Sequence, residues 1–557
     1  MSSKSDITAS VVEELDYSQQ PEFIYGGPFV ETKILSPFMD MATPINIPLS
    51  GTYKKSFAFY SLKERLPVIL TKIIDYISRE SSKIKSSTGC SADDCTSLIH
   101  YISKLKNDLV TNKAYDLLTV DTPEAKKWNE WISNAENSYY FTNAWLFSEC
   151  YVYRRLREGC ELRKGLQNFD VFGAQKSEAL QNAMESMCLV SEKVLAMMPE
   201  SPKEKKKADF ITLLKLSLWS NKCDLSLSNG DVVTTAFDPL QAINDWKDKL
   251  IADESGKIAD QVFAKAETVK KNIEASPPVE NKDTPSPEGE ETTKVPCPAK
   301  MTVPQYVMFD IVCDNAGYEL FADLCLGSFL ISQGVVQKVR YHLKNIPWFV
   351  SDVTPADFKY VINACATASF RKEFPNSSTG EGETAPPEAP RVLTADSLKS
   401  LGAMWDQYFK EGKFVVMSDD FWTSPHPYKD MKKYDPNLYR KLQFAIAVCF
   451  KGDLNYRKLL ADKNWPPYAG FESCLQGFIP APVIALRTVK ADLICALPKG
   501  KLDQMRKAGL DENWMTTGDY GVIQFCPKAE PLKAGDRPCF DYGETCHGVE
   551  CPVHADL

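Results

Sequence analysis

The 557-residue sequence predicts an α/β protein: a helical N-terminal domain, then an α/β domain with a mainly parallel sheet. Three observations predict it. From Ser56 to about residue 270 the apolar residues return every three or four positions, the spacing of a buried helix face. After Met301 they gather into short runs of strand length. Helix-like segments separate several of those runs, and strands alternating with helices imply parallel pairing with helices covering the sheet.

In chain order, residues 1–55 show little periodicity and several prolines, and read as an extended or weakly ordered arm. Residues 56–270 read as the mainly helical domain. Its first apolar stripe is Leu62, Leu66, Ile69, Ile73 and Ile77, and others run through Leu98–Leu109, Trp145–Leu156, Ala179–Met197 and Phe210–Trp219. Residues 271–300, rich in Pro, Glu, Thr and Lys, are too poor in apolar side chains to offset the entropy of ordering, and read as a disordered insertion. The α/β domain is expected over 301–527, with a second low-complexity insertion at 373–392. Its strand-length runs are Tyr306–Cys313, Val335–Tyr341, Phe414–Met417, Leu442–Phe450 and Pro482–Leu486, with helices over Tyr318–Ser332 and Pro355–Ala366. The tail, 528–557, carries Cys539, Cys546, His547, Cys551 and His554 in a spacing that matches no zinc finger, and reads as mostly disordered.

Composition excludes some functions. The net charge of −9 leaves no Lys/Arg excess to neutralise a nucleic-acid backbone. No apolar stretch is long enough for a membrane span, and the polar first residues do not read as a signal peptide. Most of the seventeen cysteines sit singly in apolar runs, which fits a reducing compartment: the cytoplasm, with the nucleus as a second location. Five histidines leave little room for an all-histidine metal site.

Each of several strand runs ends in polar residues: Asp314-Asn315 with Glu319, Ser351-Asp352, Lys451 to Arg457, and Arg487 with Lys490. Ligands of open α/β sheets bind outside the carboxyl ends of the strands, so these clusters are expected to converge on one pocket. Asp314, Asn315 and Asp352 offer hard oxygen donors suited to Mg²⁺ or Mn²⁺. Lys451, Arg457, Arg487 and Lys490 are cations able to hold phosphate oxygens. A divalent ion and cations around one anion form the arrangement that phosphoryl transfer needs. Taken alone, Asp-Asn after a strand is equally a common turn. Asp419-Asp420 after Phe414–Met417 reads as a pocket edge or a solvated loop, and Asn221 to Asp224 as a helix cap or a pocket wall.

Several segments carry a family resemblance. Ser56–Lys72, Trp219–Leu227, Asp314–Leu320, Ile346–Asp352, Phe450–Leu459, Arg487–Lys490 and Trp514–Gly521 resemble, in order, the damage-control phosphatases with the Arg-Thr-x-Lys signature. Members of that subgroup are also described as protein-glutamate methyltransferases. The resemblance implies a helical domain joined to a Rossmann-like α/β/α domain. It implies Asp314, Asn315 and Asp352 as ligands of Mn²⁺, Ni²⁺, Co²⁺ or Mg²⁺, and Asp314, Asp352 and Lys490 as the catalytic set. Substrate contacts are implied at Asp314, Asn315, Glu319, Asp453, Leu454, Asn455, Tyr456, Arg457, Arg487 and Lys490. The implied substrates are small phosphorylated metabolites, sugar phosphates such as fructose 1-phosphate among them. Attack by a metal-activated water and attack by an aspartate both remain open. The rival expectation is a methyltransferase using S-adenosylmethionine, for which the α/β domain offers no Gly-x-Gly turn after an early strand.

Overall fold

The structure is a computed structural model that describes residues 38–227, 240, 246–275, 306–374, 391–511 and 513–532. Nine strands are described: β1 Leu250–Asp253, β2 Met308–Val312, β3 Lys338–His342, β4 Arg371–Phe374, β5 Arg391–Thr394, β6 Phe414–Met417, β7 Ala445–Lys451, β8 Val483–Thr488 and β9 Gly521–Cys526. Seven form one sheet in the order β1-β9-β8-β7-β2-β3-β6, and β4 pairs with β5 as a separate hairpin. The run β8-β7-β2-β3-β6 is parallel throughout. β9 lies antiparallel to β8, and β1 is parallel to β9. The chain is thus α/β with a mostly parallel sheet, as the alternating pattern predicts.

Both faces of the sheet are covered, so its central strands are buried along their whole length. The helices that matter below are α1 Leu66–Arg79, α2 Ala92–Val110, α3 Trp145–Glu161, α4 Gly173–Asn182, α5 Met184–Met197, α6 Lys203–Leu227, α7 Ser255–Ala275, α8 Tyr318–Ser332, α9 Pro355–Ala366, α10 Asp396–Lys410 and α11 Gly452–Leu459. Val312, Phe450, Ala485 and Val522 point to one side, into a core shared with α1, α2, α3 and α11. Ile311, Cys449, Ile484 and Ile523 point to the other, into a core shared with α5 to α10. Adjacent strand residues face opposite ways because the strand period is two. Residues 38–55 run irregularly, and Leu49 exchanges backbone hydrogen bonds with Trp145 and Asp462.

Helix ends follow local chemistry. Ser91 and Thr354 begin α2 and α9 with reciprocal capping boxes closed by Asp94 and Asp357. The stripe Ala179–Met197 is two helices, α4 and α5, that meet at Ala183. Ser61–Arg65, just before α1, is a single π-helical turn, a feature that periodicity alone does not reveal. The twelve cysteines whose side chains are described are free thiols, and all are buried. Also among the described residues, no helix is long and apolar enough to cross a membrane.

The insertion at 271–300, apart from its first five residues in α7, lies outside the described residues, as do most of the second insertion and the tail cysteines and histidines.

Candidate active site

After β2 the chain turns through α8 to β3 on one side. After β7, the neighbour of β2, it turns through α11 to β8 on the other side. The strand order therefore reverses between β2 and β7, and the crevice at such a switch point is where open α/β sheets bind ligands. A cleft of about 330 Å³ lies there, with Asp314, Asn315, Asp352, Asp453, Leu454, Arg457 and Lys490 in its wall.

Two loops form its floor. Ala316 N–H donates to Ser351 C=O, Val353 N–H donates to Asp314 C=O, and Asn315 and Asp352 face each other as a bridge. Phe349 and Val350 take positive φ of 42° and 72° within the second loop. A β-branched residue rarely accepts the left-handed region, and such strain concentrates at binding sites. Tyr153 of α3 stacks on Phe349 with ring centroids 4.5 Å apart and holds the loop from the helical side.

The two aspartates are buried carboxylates. Burial, then the charges of Glu319 and Asp352, raise Asp314 well above the ordinary carboxylate range. Burial also raises Asp352, to about 6, against the pull of Lys344. Lys344 Nζ lies 3.3 Å from Asp352 Oδ2, yet that oxygen has no well-aligned donor. Two hard-oxygen groups short of positive charge suit a divalent cation. Asn315 is arranged differently. Its Nδ2 donates to Asp314 at 2.9 Å and to Glu319 at 2.8 Å, while its Oδ1 accepts from the Ser351 hydroxyl at 2.5 Å. Its oxygen is therefore engaged away from the carboxylates. Among the described residues no three His, Cys, Asp or Glu side chains cluster as a metal site.

The expected cations divide. Lys490 lines the cleft, its backbone N–H donates to Asp453 Oδ1 at 3.1 Å, and its aliphatic stem lies against Gly518. Arg457 also lines it, but its donors are drawn to Asp462 and Glu149, and its guanidinium lies 3.4 Å above the Trp145 ring. Lys451 is buried away from the cleft, with Nζ 2.9 Å from both Glu319 and Asp323. Arg487 is likewise buried. It donates to Asp453 and to the carbonyls of Ala491 and Leu493, which shapes the loop that presents Lys490.

Other expected contact residues stand behind the wall. Asn455 donates to the carbonyls of Val312, Cys313 and Lys451 and accepts from Tyr428, tying the ends of β2 and β7 to α11. Tyr456 donates to Gln524 and lies under Arg487. Glu319, 5% exposed, supports Asn315 and Lys451. Asp419 pairs with Lys441 and Asp420 accepts from Asn345, both outside the cleft wall. Backbone helix α6 continues through Asn221–Asp224 to Leu227, and side chains beyond Ser220 lie outside the described residues.

The helical layer supplies a wall that reading strand ends does not find: Phe57, Arg65, Trp145, Gln175, Lys176 and Ala179. Arg65 ends the π-turn within the resemblance-bearing segment Ser56–Lys72. Lys176 binds Asp170 and Asp357, each at 2.6 Å. The motif segments around Trp219 and Gly518 meet each other, since Trp219 packs 3.0 Å from the position a Gly521 Cβ would take.

Residues 61–275 and 299–505 match the family described as the Damage-control phosphatase ARMT1-like domain. The chain is 31% identical over 488 residues to Damage-control phosphatase ARMT1 of Danio rerio, covering 86% of this chain and 96% of that protein. It is 32% identical over 489 residues to the Mus musculus protein of the same name and 31% identical to that of Homo sapiens, covering 98% of each. A crystal structure of a DUF89 family protein from Pyrococcus horikoshii aligns with 81% of this chain and 97% of its own, at 12% identity and a TM-score of 0.32. By the extent of that match and of those relatives, the chain belongs to the ARMT1-like damage-control phosphatase domain family.

Proposed function

We propose that the cleft at the β2/β7 switch point is the active site of a divalent-metal-dependent phosphomonoesterase acting on small sugar phosphates, fructose 1-phosphate among them. The observation that carries this reading is the meeting of two charge-deficient buried carboxylates, Asp314 and Asp352, with Lys490 around one hollow. Membership in a damage-control phosphatase family supports the reaction class.

The ion would be held by Asp314 and Asp352, with Asn315 completing the set once its amide oxygen turns inward. When bound it would supply charge neutralisation and Lewis-acid polarisation at the phosphoryl group. The chain's own residues do the rest. Lys490 holds phosphate oxygens at the mouth of β8, where Asp453 fixes its backbone. Arg457, fully engaged with Asp462 and Glu149, keeps the wall rigid beside the reacting group. Phe57, Trp145 and Leu454 exclude water from the hollow.

Phosphate release is measured from sugar phosphates and para-nitrophenyl phosphate with Mn²⁺, Co²⁺, Ni²⁺, Mg²⁺ or EDTA. Release that EDTA abolishes and that falls at least about a hundredfold in Asp314→Ala is the expected result. Release unaffected by EDTA in a folded protein would sink the metal assignment. No release with any metal would turn attention to S-adenosylmethionine binding, read by calorimetry.

A further inference from the structure

A second hollow of about 430 Å³ adjoins the cleft, and the two share Gln175 and Val350 as a common wall. Its floor is apolar: Ile73 and Tyr76 of α1 face Val171 and Phe172 just before α4. Ile73, Val171 and Phe172 are buried, which fixes that floor. Its rim carries exposed Lys72 and Lys83 against exposed Glu80 and Glu178, two charges of each sign. A balanced rim over an apolar floor gives no net attraction for an ion and favours an uncharged apolar group. The partition residue Val350 sits at φ +72°, the conformation that sets it between the two hollows.

Resting on the phosphatase reading above, we infer that the second hollow receives the alcohol portion of the substrate. Beyond the sugar phosphates proposed above, the enzyme then favours, over short alkyl esters, phosphomonoesters whose alcohol carries an uncharged aromatic or aliphatic group several bonds from the phosphate. The phosphate stays at Asp314, Asp352 and Lys490, and the apolar end passes Gln175 and Val350 to lie on Ile73 and Phe172.

The full chain is assayed with ethyl phosphate and 4-phenylbutyl phosphate. The expected result is a kcat/KM about tenfold or more higher for the phenylbutyl ester. Ala174→Trp, an exposed residue of the second hollow only, fills the space. It should bring the ratio to near one while leaving ethyl phosphate unchanged. Ile69→Asp, at a half-buried lining position, should do the same by placing a charge there. A wild-type ratio near one, or a ratio that survives both substitutions, overturns the inference. The phosphatase reading stands or falls on the sugar-phosphate assay above, so hydrolysis of neither ester leaves only the second hollow to be decided. Calorimetry with 4-phenylbutylphosphonate and ethylphosphonate then decides the second hollow: tighter binding of the first, lost in Ala174→Trp, sustains the inference, and equal binding overturns it.

Discussion

At Gly452 the backbone takes φ +80°, and a Cβ there would lie 1.9 Å from Asp314 Oδ2. Only glycine allows β7 to pass directly into α11 while the Asp314 carboxylate lies against the turn. Gly452→Ala should therefore displace Asp314. The expected outcome is loss of at least about a hundredfold in phosphate release, with a smaller fall in stability of roughly 1–3 kcal/mol; steady-state kinetics and urea unfolding check both. Gly-Asp after a strand is visible in the sequence, but the clash that forbids a side chain is not, because its partner lies 138 residues away, from 314 to 452.

His426 makes a second residue-level prediction. Its ring stacks on Tyr434 with centroids 3.6 Å apart and meets the Trp131 ring edge-on, and its Nε2 is buried without a hydrogen-bond partner. Burial, then Lys458 and Lys433, lower its pKa to about 3. A histidine lowered in the folded state binds a proton more readily when unfolded, so stability falls as pH drops from about 6.5 towards 3. The fall from 6.5 to about 3 corresponds to roughly 5 kcal/mol at the acid end. His426→Phe should flatten that part of the acid stability profile. The His426 ring signals in NMR should stay fixed between pH 7 and 4.5; a titration near 6 would refute the assignment.

Among elements, the packing of α9 on α10 depends on Gly402. A Cβ at that position would come within 2.3 Å of the Ala366 backbone nitrogen, so the helices meet backbone to backbone. Gly402→Ala should cost about 1–3 kcal/mol, read as a lowered urea midpoint, without touching the cleft. Below the cleft, Lys451 joins β7 to α8 through Glu319 and Asp323 and to α6 through the Ser217 carbonyl. Lys451→Met leaves two carboxylates buried without their cation, and should destabilise by about 3–5 kcal/mol. A loss below 1 kcal/mol would show that solvent reaches the pair.

The five parallel strands were legible because each is an apolar run followed by polar residues, and their observed bounds fall within or beside the expected runs. β1 and β9 carry no such signal. Leu250–Asp253 is four residues long, and Gly521–Cys526 follows a loop where periodicity is lost. The cluster of Asp314, Asp352 and Lys490 could be read from strand ends alone. The burial of Lys451 and Arg487 could not, since a lysine or arginine after a strand looks alike whether it faces a ligand or a buried carboxylate. Arg65, Trp145 and Lys176 escape for a different reason: they reach the cleft from the helical layer, which a reading of strand ends does not survey.

On the scale of the whole molecule, Arg457 is the cation that locks the helical layer to the sheet layer. It binds Asp462 beside it and Glu149 of α3, and stacks on Trp145. Because all three contacts are buried, Arg457→Met should lower stability by about 3–5 kcal/mol. It should do so without splitting the unfolding curve, since α1 to α3 share one core with Phe450, Ala485 and Val522. Two separated transitions, seen by tryptophan fluorescence and far-ultraviolet circular dichroism, would show that the layers fold independently.

That lock has a consequence in time. Glu149 and Arg457 stand 308 positions apart. At about 5–20 residues per second, the ribosome delivers the second between about 15 and 60 s after the first. For nearly all of that interval the apolar side of α1 to α3 lacks Phe450, Ala485 and Val522, and the nascent chain carries a sticky surface that only its own last third can close. Synthesis of this protein in a cell is therefore a wait, and the cell's holding chaperones are the natural occupants of it.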